Sequence, residues 1–181
     1  MRAGFRLLIA CALSALSCAA RGRDDVHARP GQENGAAGGV ADVTLRDTDG
    51  HDATLSSVIG GRAALVSFWA PWCEPCVREL PELERLARAV AACGGAVVGV
   101  AVGEKPETIA AYTRARALTY PQLIDEPFTL ADALGQRRIP ATIVFDRRGR
   151  VVFTGEALDA RATAALGRAL GETPGAKPCV P

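Results

Sequence analysis

Two cysteines separated by two residues stand between a strand-like run and a helix-like run. Ala63–Trp69 is continuously apolar and of strand length, as a buried central strand is. After Cys76, apolar side chains recur every three or four residues with charged residues between them, which predicts an amphipathic helix. Cys73 therefore lies where a buried strand ends, and Cys76 lies in the first turn of a helix.

A pair of cysteines at this spacing has three common uses. A zinc site needs four ligands, and the remaining cysteines and histidines of the domain and its linker are isolated in sequence: His27, His51, Cys93 and Cys179. A structural disulfide across two residues closes a very small loop and removes little chain entropy. The spacing therefore favours a redox pair, and no metal is expected there.

A redox role has a physical basis at this position. The thiolate is the nucleophile, and the free N–H groups and dipole of a helix N-terminus stabilise an anion. Pro75 is tolerated in the first turn because it lacks an N–H group. We expect Cys73 to be the exposed attacking thiol and Cys76 the buried thiol that resolves a mixed disulfide.

The remaining chain alternates strand and helix patterns. Alternating apolar residues around a turn at Asp49-Gly50 predict a hairpin over 43–55. Beyond the cysteines, the patterns predict a strand over 96–102, a helix over 106–118 and an extended piece over 120–125. They then predict a short helix over 129–135, a hairpin over 141–155 and a last helix over 158–170. The prediction is an α/β fold, a mixed sheet with helices on both faces.

The N-terminal residues resemble an export signal. A basic start precedes an apolar run that is too short to span a bilayer. "ALSC" resembles a bacterial lipobox, which favours a lipoprotein-type signal over 1–17 with Cys18 as the lipidated residue. Ordinary cleavage after residue 20 is the alternative. We expect a flexible linker over 18–39, a folded domain over 40–175 and a tail over 176–181.

Charge and cysteine content narrow the function classes. The formal net charge is +1 and no basic patch with interleaved aromatics occurs, so nucleic acid is not an expected partner. Either processing route leaves four cysteines in the folded part, and four cysteines in an exported protein favour disulfides.

Two segments carry a family resemblance. "FWAPWCEPCVRELP" resembles the active site of the thioredoxin superfamily, and more narrowly that of the exported TlpA/ResA-like thiol–disulfide oxidoreductases. "RIPATIVFDRRGRVV" is similar to the cis-proline segment of that family. The resemblance covers about 40–170. It implies a thioredoxin-like mixed sheet flanked by helices, with an N-terminal β-hairpin, a central αβ insert and no cofactor.

The resemblance also implies roles for individual residues. Trp72 would shield the disulfide and shape the docking surface. Pro140 would be the cis residue facing the cysteines, and the Ile139 backbone would pair with a client strand. Glu79 would handle protons at the cysteine pair.

Three further expectations concern charge near the site. Glu74 lies between the cysteines and should oppose formation of the thiolate. Ser67 stands where thioredoxin has a buried aspartate, which makes Glu79 the better proton relay. Arg137 and Arg138 precede the proline segment, where such arginines are more often solvated surface charges; the alternatives are that they favour acidic partners or support a thiolate.

A second disulfide is expected in the thioredoxin-like fold. The active-site helix ends near Cys93, and the last helix lies on the same face and runs in the same direction. The tail that follows, with Cys179, should emerge at the same end of the domain. We therefore expect a structural disulfide between Cys93 and Cys179, which would close a long loop.

The resulting functional prediction is an exported, lipid-anchored reductant of client-protein disulfides. The implied partners are apo-proteins with haem-binding or copper-binding cysteines, and a membrane thiol-electron donor. Three alternatives remain open: an oxidase or isomerase of the same fold, a peroxiredoxin-like peroxidase, and a copper or zinc chaperone. The peroxidase would need its cysteine in a threonine-containing loop, which "WCEPC" lacks.

Overall fold

The computed structural model describes residues 42–171 and 179–180, and its centre is one seven-stranded mixed sheet. The strand order is β2-β1-β5-β4-β3-β6-β7. The strands are β1 Thr44–Asp47, β2 Asp52–Thr54, β3 Ala63–Trp69, β4 Gly95–Val102, β5 Gln122–Asp125, β6 Ala141–Phe145 and β7 Val151–Gly155. The helices are α1 Leu55–Ile59, α2 Glu74–Ala91, α3 Pro106–Ala115, α4 Thr129–Ala133 and α5 Ala160–Leu170. The expected mixed sheet with an N-terminal hairpin and a central αβ insert is confirmed.

The two continuous apolar runs form the centre of the sheet. Every residue of β3 and β4 is buried, and the strands pair in parallel from Ala63–Gly95 to Trp69–Ala101. Parallel strands covered on both faces need apolar side chains at every position, which is why these runs do not alternate. Strand β6 pairs with β3 and strand β1 pairs with β5, both antiparallel, so these two strands flank the parallel core.

The helix boundaries follow local capping chemistry. The Asp159 carboxylate accepts hydrogen bonds from the N–H groups of Arg161 and Ala162, both at 2.9 Å, so α5 begins at Ala160, two residues later than predicted. Helix α3 ends at Ala115 rather than residue 118. Ala117 has a positive φ of 52°, which a helix cannot continue through.

The hairpin prediction placed Leu55 in a strand, and this placement is wrong. Leu55 is the first residue of the short helix α1 and is fully buried. Thr54 caps this helix because its side chain accepts from the Ser57 N–H, while the Ser57 hydroxyl group accepts from the Thr54 N–H. The helix ends at Gly60, which has the left-handed conformation of a C-terminal cap.

Three parallel strands bring their last residues to one edge of the sheet. Strands β3, β4 and β5 run in the same direction, and we call the edge where they end the carboxyl edge. Residues 126–140, the connecting segment, lead from the end of β5 to the start of β6. Because β6 is antiparallel to β3, it also starts at the carboxyl edge, so both ends of this segment lie there.

Several predictions concern residues outside the described part of the chain. These are the signal over 1–17, the linker over 18–39 with Cys18, and most of the tail. Among the residues that are described, no helix has the length and apolar character to span a membrane.

Candidate active site

The two cysteines of the C-x-x-C pair form a disulfide at the N-terminus of α2. The sulfurs are 2.03 Å apart and the Cα atoms 5.3 Å apart. Cys73 is the N-cap residue, and its Sγ accepts a hydrogen bond from the Cys76 backbone N–H at 3.3 Å. This N–H group would also stabilise a Cys73 thiolate after reduction.

The expectation that Cys73 is exposed is wrong for this oxidised state. Its side chain is the more accessible of the two, but only 6% of the residue is exposed, against 1% for Cys76. Its sulfur is bonded to Cys76 Sγ and accepts the hydrogen bond from the first turn of α2. Cys73 is still the more exposed of the two cysteines, which favours it as the attacking thiol.

Two tryptophans near the pair have opposite environments. Trp69 ends β3 and is fully buried, whereas Trp72 immediately precedes Cys73 and is 61% exposed. Burial of a large aromatic side chain normally stabilises the folded state, and the exposed part of Trp72 makes no such contribution. Trp72 is therefore a surface aromatic beside the disulfide and not part of the core.

The peptide bond between Ile139 and Pro140 is cis, and both residues are half-buried. Strand β6 begins at the next residue, Ala141, which pairs with Phe68 of β3. Pro140 therefore lies beside the end of β3, on the carboxyl edge that also carries Cys73. The fold brings together the two segments that carried the family resemblance.

Glu79 lies three residues after Cys76 on α2, a spacing that places two side chains on the same helix face. Its Oε1 accepts a hydrogen bond from the Leu158 backbone N–H at 3.2 Å, and its Oε2 is buried without a hydrogen-bond partner. Burial raises the pKa of Glu79, and the hydrogen bond from Leu158 opposes this only in part. Glu79 is thus a partly desolvated carboxyl group and not a solvated surface charge.

Glu74 behaves differently from Glu79, although both belong to α2. Its carboxylate is exposed and forms an ion pair with Arg78 at 2.7 Å. Arg78 therefore balances part of the negative charge that was expected to oppose a Cys73 thiolate. Solvent also screens this exposed pair.

Ser67 is buried in β3 between Gly99 of β4 and Thr142 of β6. Neither Ser67 nor Thr142 can serve as a carboxylate base, and the Thr142 hydroxyl group has no hydrogen-bond partner. Glu79 of α2 therefore remains the candidate proton relay.

A buried polar contact that was not predicted from the sequence lies behind the site. The Trp69 indole Nε1 donates a hydrogen bond to Gln122 Oε1 at 3.0 Å, across the intervening strand β4. Gly99 of β4 leaves the space for this contact, since a Cβ atom there would collide with Gln122 Oε1. A glycine within an otherwise apolar strand was the available signal.

The two arginines before the proline segment differ in their surroundings. Arg137 pairs with Asp132 at 3.2 Å. Arg138 is exposed and takes part in none of the ion pairs of residues 42–171 and 179–180.

The structure joins Cys93 and Cys179 in a disulfide with a Cα–Cα distance of 6.1 Å. Cys93 follows the end of α2, so the bond ties the far end of the active-site helix to the C-terminal residues. Val180, the next residue, is buried in the hydrophobic core.

Possible metal ligands cluster away from the cysteine pair. Within the described ranges, one group of three is close enough, Asp47, Asp49 and His51 in the turn between β1 and β2. Asp47 already accepts hydrogen bonds from the backbone N–H groups of Asp49 and His51 within this turn. Because β1 is antiparallel to β5, the turn lies at the opposite edge of the sheet from Cys73.

Comparison with known sequences identifies thiol-disulfide oxidoreductases as relatives. The chain is 32% identical over 116 residues to the thiol-disulfide oxidoreductase ResA of Geobacillus kaustophilus, a match covering 63% of this chain and 66% of that protein. It is 29% identical over 154 residues to ResA of Bacillus subtilis, covering 84% and 81% of the two chains. The match thus spans just under two thirds of the Geobacillus protein.

Solved structures share the fold. A secreted thiol-disulfide isomerase from Corynebacterium glutamicum superposes with a TM-score of 0.64 at 24% identity, over 74% of this chain and 86% of that one. A thiol:disulfide interchange protein of the thioredoxin family from Chlorobium tepidum gives 0.59 at 25% identity, over 74% and 93%. The sequence model of the AhpC/TSA family matches residues 38–154, well over half of the chain. With its thioredoxin-like fold and its ResA relatives, the chain belongs to the AhpC/TSA family.

Proposed function

We propose that this protein is a thiol–disulfide oxidoreductase that acts outside the cytoplasm and reduces disulfides in client proteins. The observation that carries the proposal is the Cys73–Cys76 disulfide at the N-terminus of α2, on the same edge of the sheet as cis-Pro140. The relatives named ResA thiol-disulfide oxidoreductase support the same activity.

The reaction follows from the arrangement of the two sulfurs. In the reduced protein the Cys73 thiolate attacks one sulfur of a client disulfide, which forms a mixed disulfide and releases the first client thiolate. The Cys76 thiolate then attacks Cys73 Sγ, re-forms the bond seen here and releases the second client thiolate. Two electrons pass to the client, and each released thiolate takes up a proton.

Glu79 is the group proposed to exchange a proton with the pair. Its raised pKa brings its titration closer to neutral pH, which suits a carboxyl group that accepts and returns a proton. Its position one helical turn after Cys76 favours exchange with the resolving thiol.

The proposed compartment and partners rest on the N-terminal sequence and on the second disulfide. A structural bond such as Cys93–Cys179 is typical of exported proteins. The proposed anchor is a lipid on Cys18. A membrane thiol-electron donor would return the pair to its reduced form, and apo-proteins with haem-binding or copper-binding cysteines are the proposed clients.

Disulfide isomerisation is the second candidate, because one structural relative is a secreted thiol-disulfide isomerase. The two candidates differ in the reduction potential of the cysteine pair. Thioredoxin lies at about −270 mV and the oxidant DsbA at about −120 mV. A client reductant should therefore lie near or below about −270 mV, and a value towards the DsbA end would favour an oxidase or isomerase.

The deciding experiment is equilibration of the full chain with dithiothreitol and glutathione buffers, with the state of Cys73 and Cys76 read by thiol labelling and mass spectrometry. Labelling by site separates this pair from Cys93 and Cys179. Absence of exchange between Cys73 and either buffer would refute the proposed activity as a whole.

A trapping experiment tests the order of attack. Cys76→Ser should accumulate mixed disulfides through Cys73, because the resolving thiol is missing, while Cys73→Ser should accumulate none. The reverse pattern would show that Cys76 is the attacking thiol.

A further inference from the structure

Phe128 combines two unfavourable features on the carboxyl edge. Its backbone lies in the left-handed region, with φ 62° and ψ 19°, and its side chain is 42% exposed. A bulky residue without glycine's freedom is rarely found there, and such strained residues cluster at ligand-contact sites. Neither local backbone preference nor burial explains why an aromatic residue occupies this position.

Neighbouring groups hold the Phe128 ring in place. A Cβ atom on Gly103, the residue after β4, would lie 2.8 Å from Phe128 Cζ, so the ring packs closely over this glycine. The N–H groups of Gly103 and Phe128 both donate to the Asp125 carbonyl oxygen, each at 3.2 Å. The backbone of Phe128 is thus fixed in a turn and its ring rests on Gly103, and such preorganisation lowers the entropy cost of a contact.

The strand register places Phe128 and Trp72 on the same edge. Trp69 is in register with Ala101, and Ala101 with Ile124. Trp72 follows the end of β3 by three residues, and Phe128 follows the end of β5 by three residues. The two strands are separated by β4, so they are about 10 Å apart. Cys73 and cis-Pro140 belong to the same edge of the sheet.

The connecting segment carries Glu126, Asp132, Arg137 and Arg138, and of these charged residues Arg138 is nearest in sequence to the cis-proline. Arg137 is paired with Asp132, whereas the exposed Arg138 takes part in no ion pair of the described residues. Arg138 adjoins Ile139, where a client backbone would pair. An acidic side chain of a client would therefore complement Arg138 next to the apolar contacts.

We propose that Phe128 is a second apolar anchor of the client-docking surface and, with Trp72, sets the client preference. The occupant is an extended segment of a client protein with an apolar side chain near its disulfide cysteine and an acidic side chain facing Arg138. This inference rests on the proposed oxidoreductase function and adds the class of client segment to it. Phe128 acts by positioning the client and takes no part in the exchange of electrons.

The test uses the reduced full chain and synthetic peptides, each a symmetrical dimer joined by one disulfide. One series carries leucine at successive positions on either side of the cysteine, beside a glutamate, and a matched series carries serine in place of leucine. Each turnover converts one peptide disulfide into two peptide thiols and oxidises Cys73 and Cys76. Because each reduced protein molecule reacts once, the measured quantity is the ratio of the second-order rate constant of oxidation by the leucine peptide to that by the serine peptide.

The main variant is Phe128→Asn, because asparagine tolerates the left-handed conformation and removes only the ring. At the leucine position that contacts Phe128, the wild-type ratio should be about fivefold and should fall to about one in this variant, as expected for partial burial of a phenylalanine. Phe128→Tyr retains the ring and should retain the ratio. Val152→Ala is the matched control, since Val152 is 43% exposed. It follows Val151, which pairs with Phe145 at the end of β6, so it lies at the end of the strands opposite the carboxyl edge.

Several outcomes would overturn the inference. They are a wild-type ratio of one at every position, a ratio that Phe128→Asn leaves intact, and an equal loss in Val152→Ala. Phe128-dependent binding to phosphatidylglycerol vesicles without an effect on peptides would make the surface a membrane contact. Phe128-dependent dimerisation in analytical ultracentrifugation, again without an effect on peptides, would make it a self-association surface.

A binding measurement separates this inference from the proposed function. The oxidised protein is titrated with the leucine peptide in which serine replaces cysteine, and fluorescence anisotropy of a labelled peptide is followed. Affinity that falls about fivefold in Phe128→Asn supports docking even if no exchange occurs. Equal affinity of the two proteins would refute docking at Phe128 whether or not the protein exchanges disulfides.

Discussion

Glu79 Oε1 accepts a hydrogen bond from the Leu158 backbone N–H at 3.2 Å, which links the active-site helix to the residues just before α5. The other carboxylate oxygen is buried and has no hydrogen-bond partner. The contact with Leu158 therefore orients the Glu79 side chain through Oε1, while Oε2 remains desolvated.

The raised pKa of Glu79 predicts a pH dependence of stability. Burial makes the folded state hold the Glu79 proton more tightly than the unfolded state, whose reference pKa is 4.5. The contribution of Glu79 to the free energy of unfolding is thus fully present below that value and declines as the pH rises through the raised pKa. Urea denaturation should show that Glu79→Gln gains stability relative to the wild type over this pH range.

The matched control for Glu79 is Glu107→Gln, which changes an exposed carboxylate on α3. This control should lack the gain found for Glu79→Gln. A stability difference between wild type and Glu79→Gln that is the same at every pH would contradict the prediction.

The Cys93–Cys179 disulfide should contribute strongly to stability. It joins residues separated by 86 positions, and long loops gain the most from a cross-link. The double variant Cys93→Ala/Cys179→Ala should lose about 2–4 kcal/mol in the free energy of unfolding, measured by denaturation in urea. Exchange of the Cys73–Cys76 pair with glutathione should stay at the wild-type rate, and unaltered stability would contradict the prediction.

Gln122 should stabilise the protein through Trp69. In Gln122→Leu the buried Trp69 indole N–H group loses its acceptor, and an unsatisfied buried donor costs about 1–3 kcal/mol. The loss should be visible in the free energy of unfolding, and a shift in Trp69 fluorescence should accompany it. The control is Gln136→Leu, because Gln136 is half-buried and its side-chain amide donates to the carbonyl group of the nearby Leu134. Equal losses in the two variants would argue against the Trp69 contact.

Gly99 and Gln122 should be coupled energetically. A methyl group added by Gly99→Ala would collide with Gln122 Oε1, and overpacking of this kind costs about 1–3 kcal/mol. The double variant Gly99→Ala/Gln122→Ala opens the space, so it should be more stable than the sum of the single changes predicts. A double-mutant cycle in urea gives the coupling free energy, and additivity would contradict the prediction.

Local patterns were sufficient for the main elements of the fold. The apolar runs of β3 and β4 and the amphipathic pattern of α2 reflect the periodicities of strands and helices, which are properties of neighbouring residues. Capping is equally local, but the Thr54–Ser57 signal for α1 was overlooked because Leu55 also fitted an alternating strand pattern.

The sequence by itself determined that Cys73 and Cys76 lie where a buried strand meets a helix, because spacing and hydrophobic periodicity are written along the chain. Only the tertiary structure decided that the Leu158 N–H group binds Glu79, that Gln122 accepts from Trp69, and that the Phe128 ring stands exposed over Gly103. Each of these contacts joins residues distant in sequence. The partner of a polar atom, and the burial that shifts its pKa, depend on how the elements pack together.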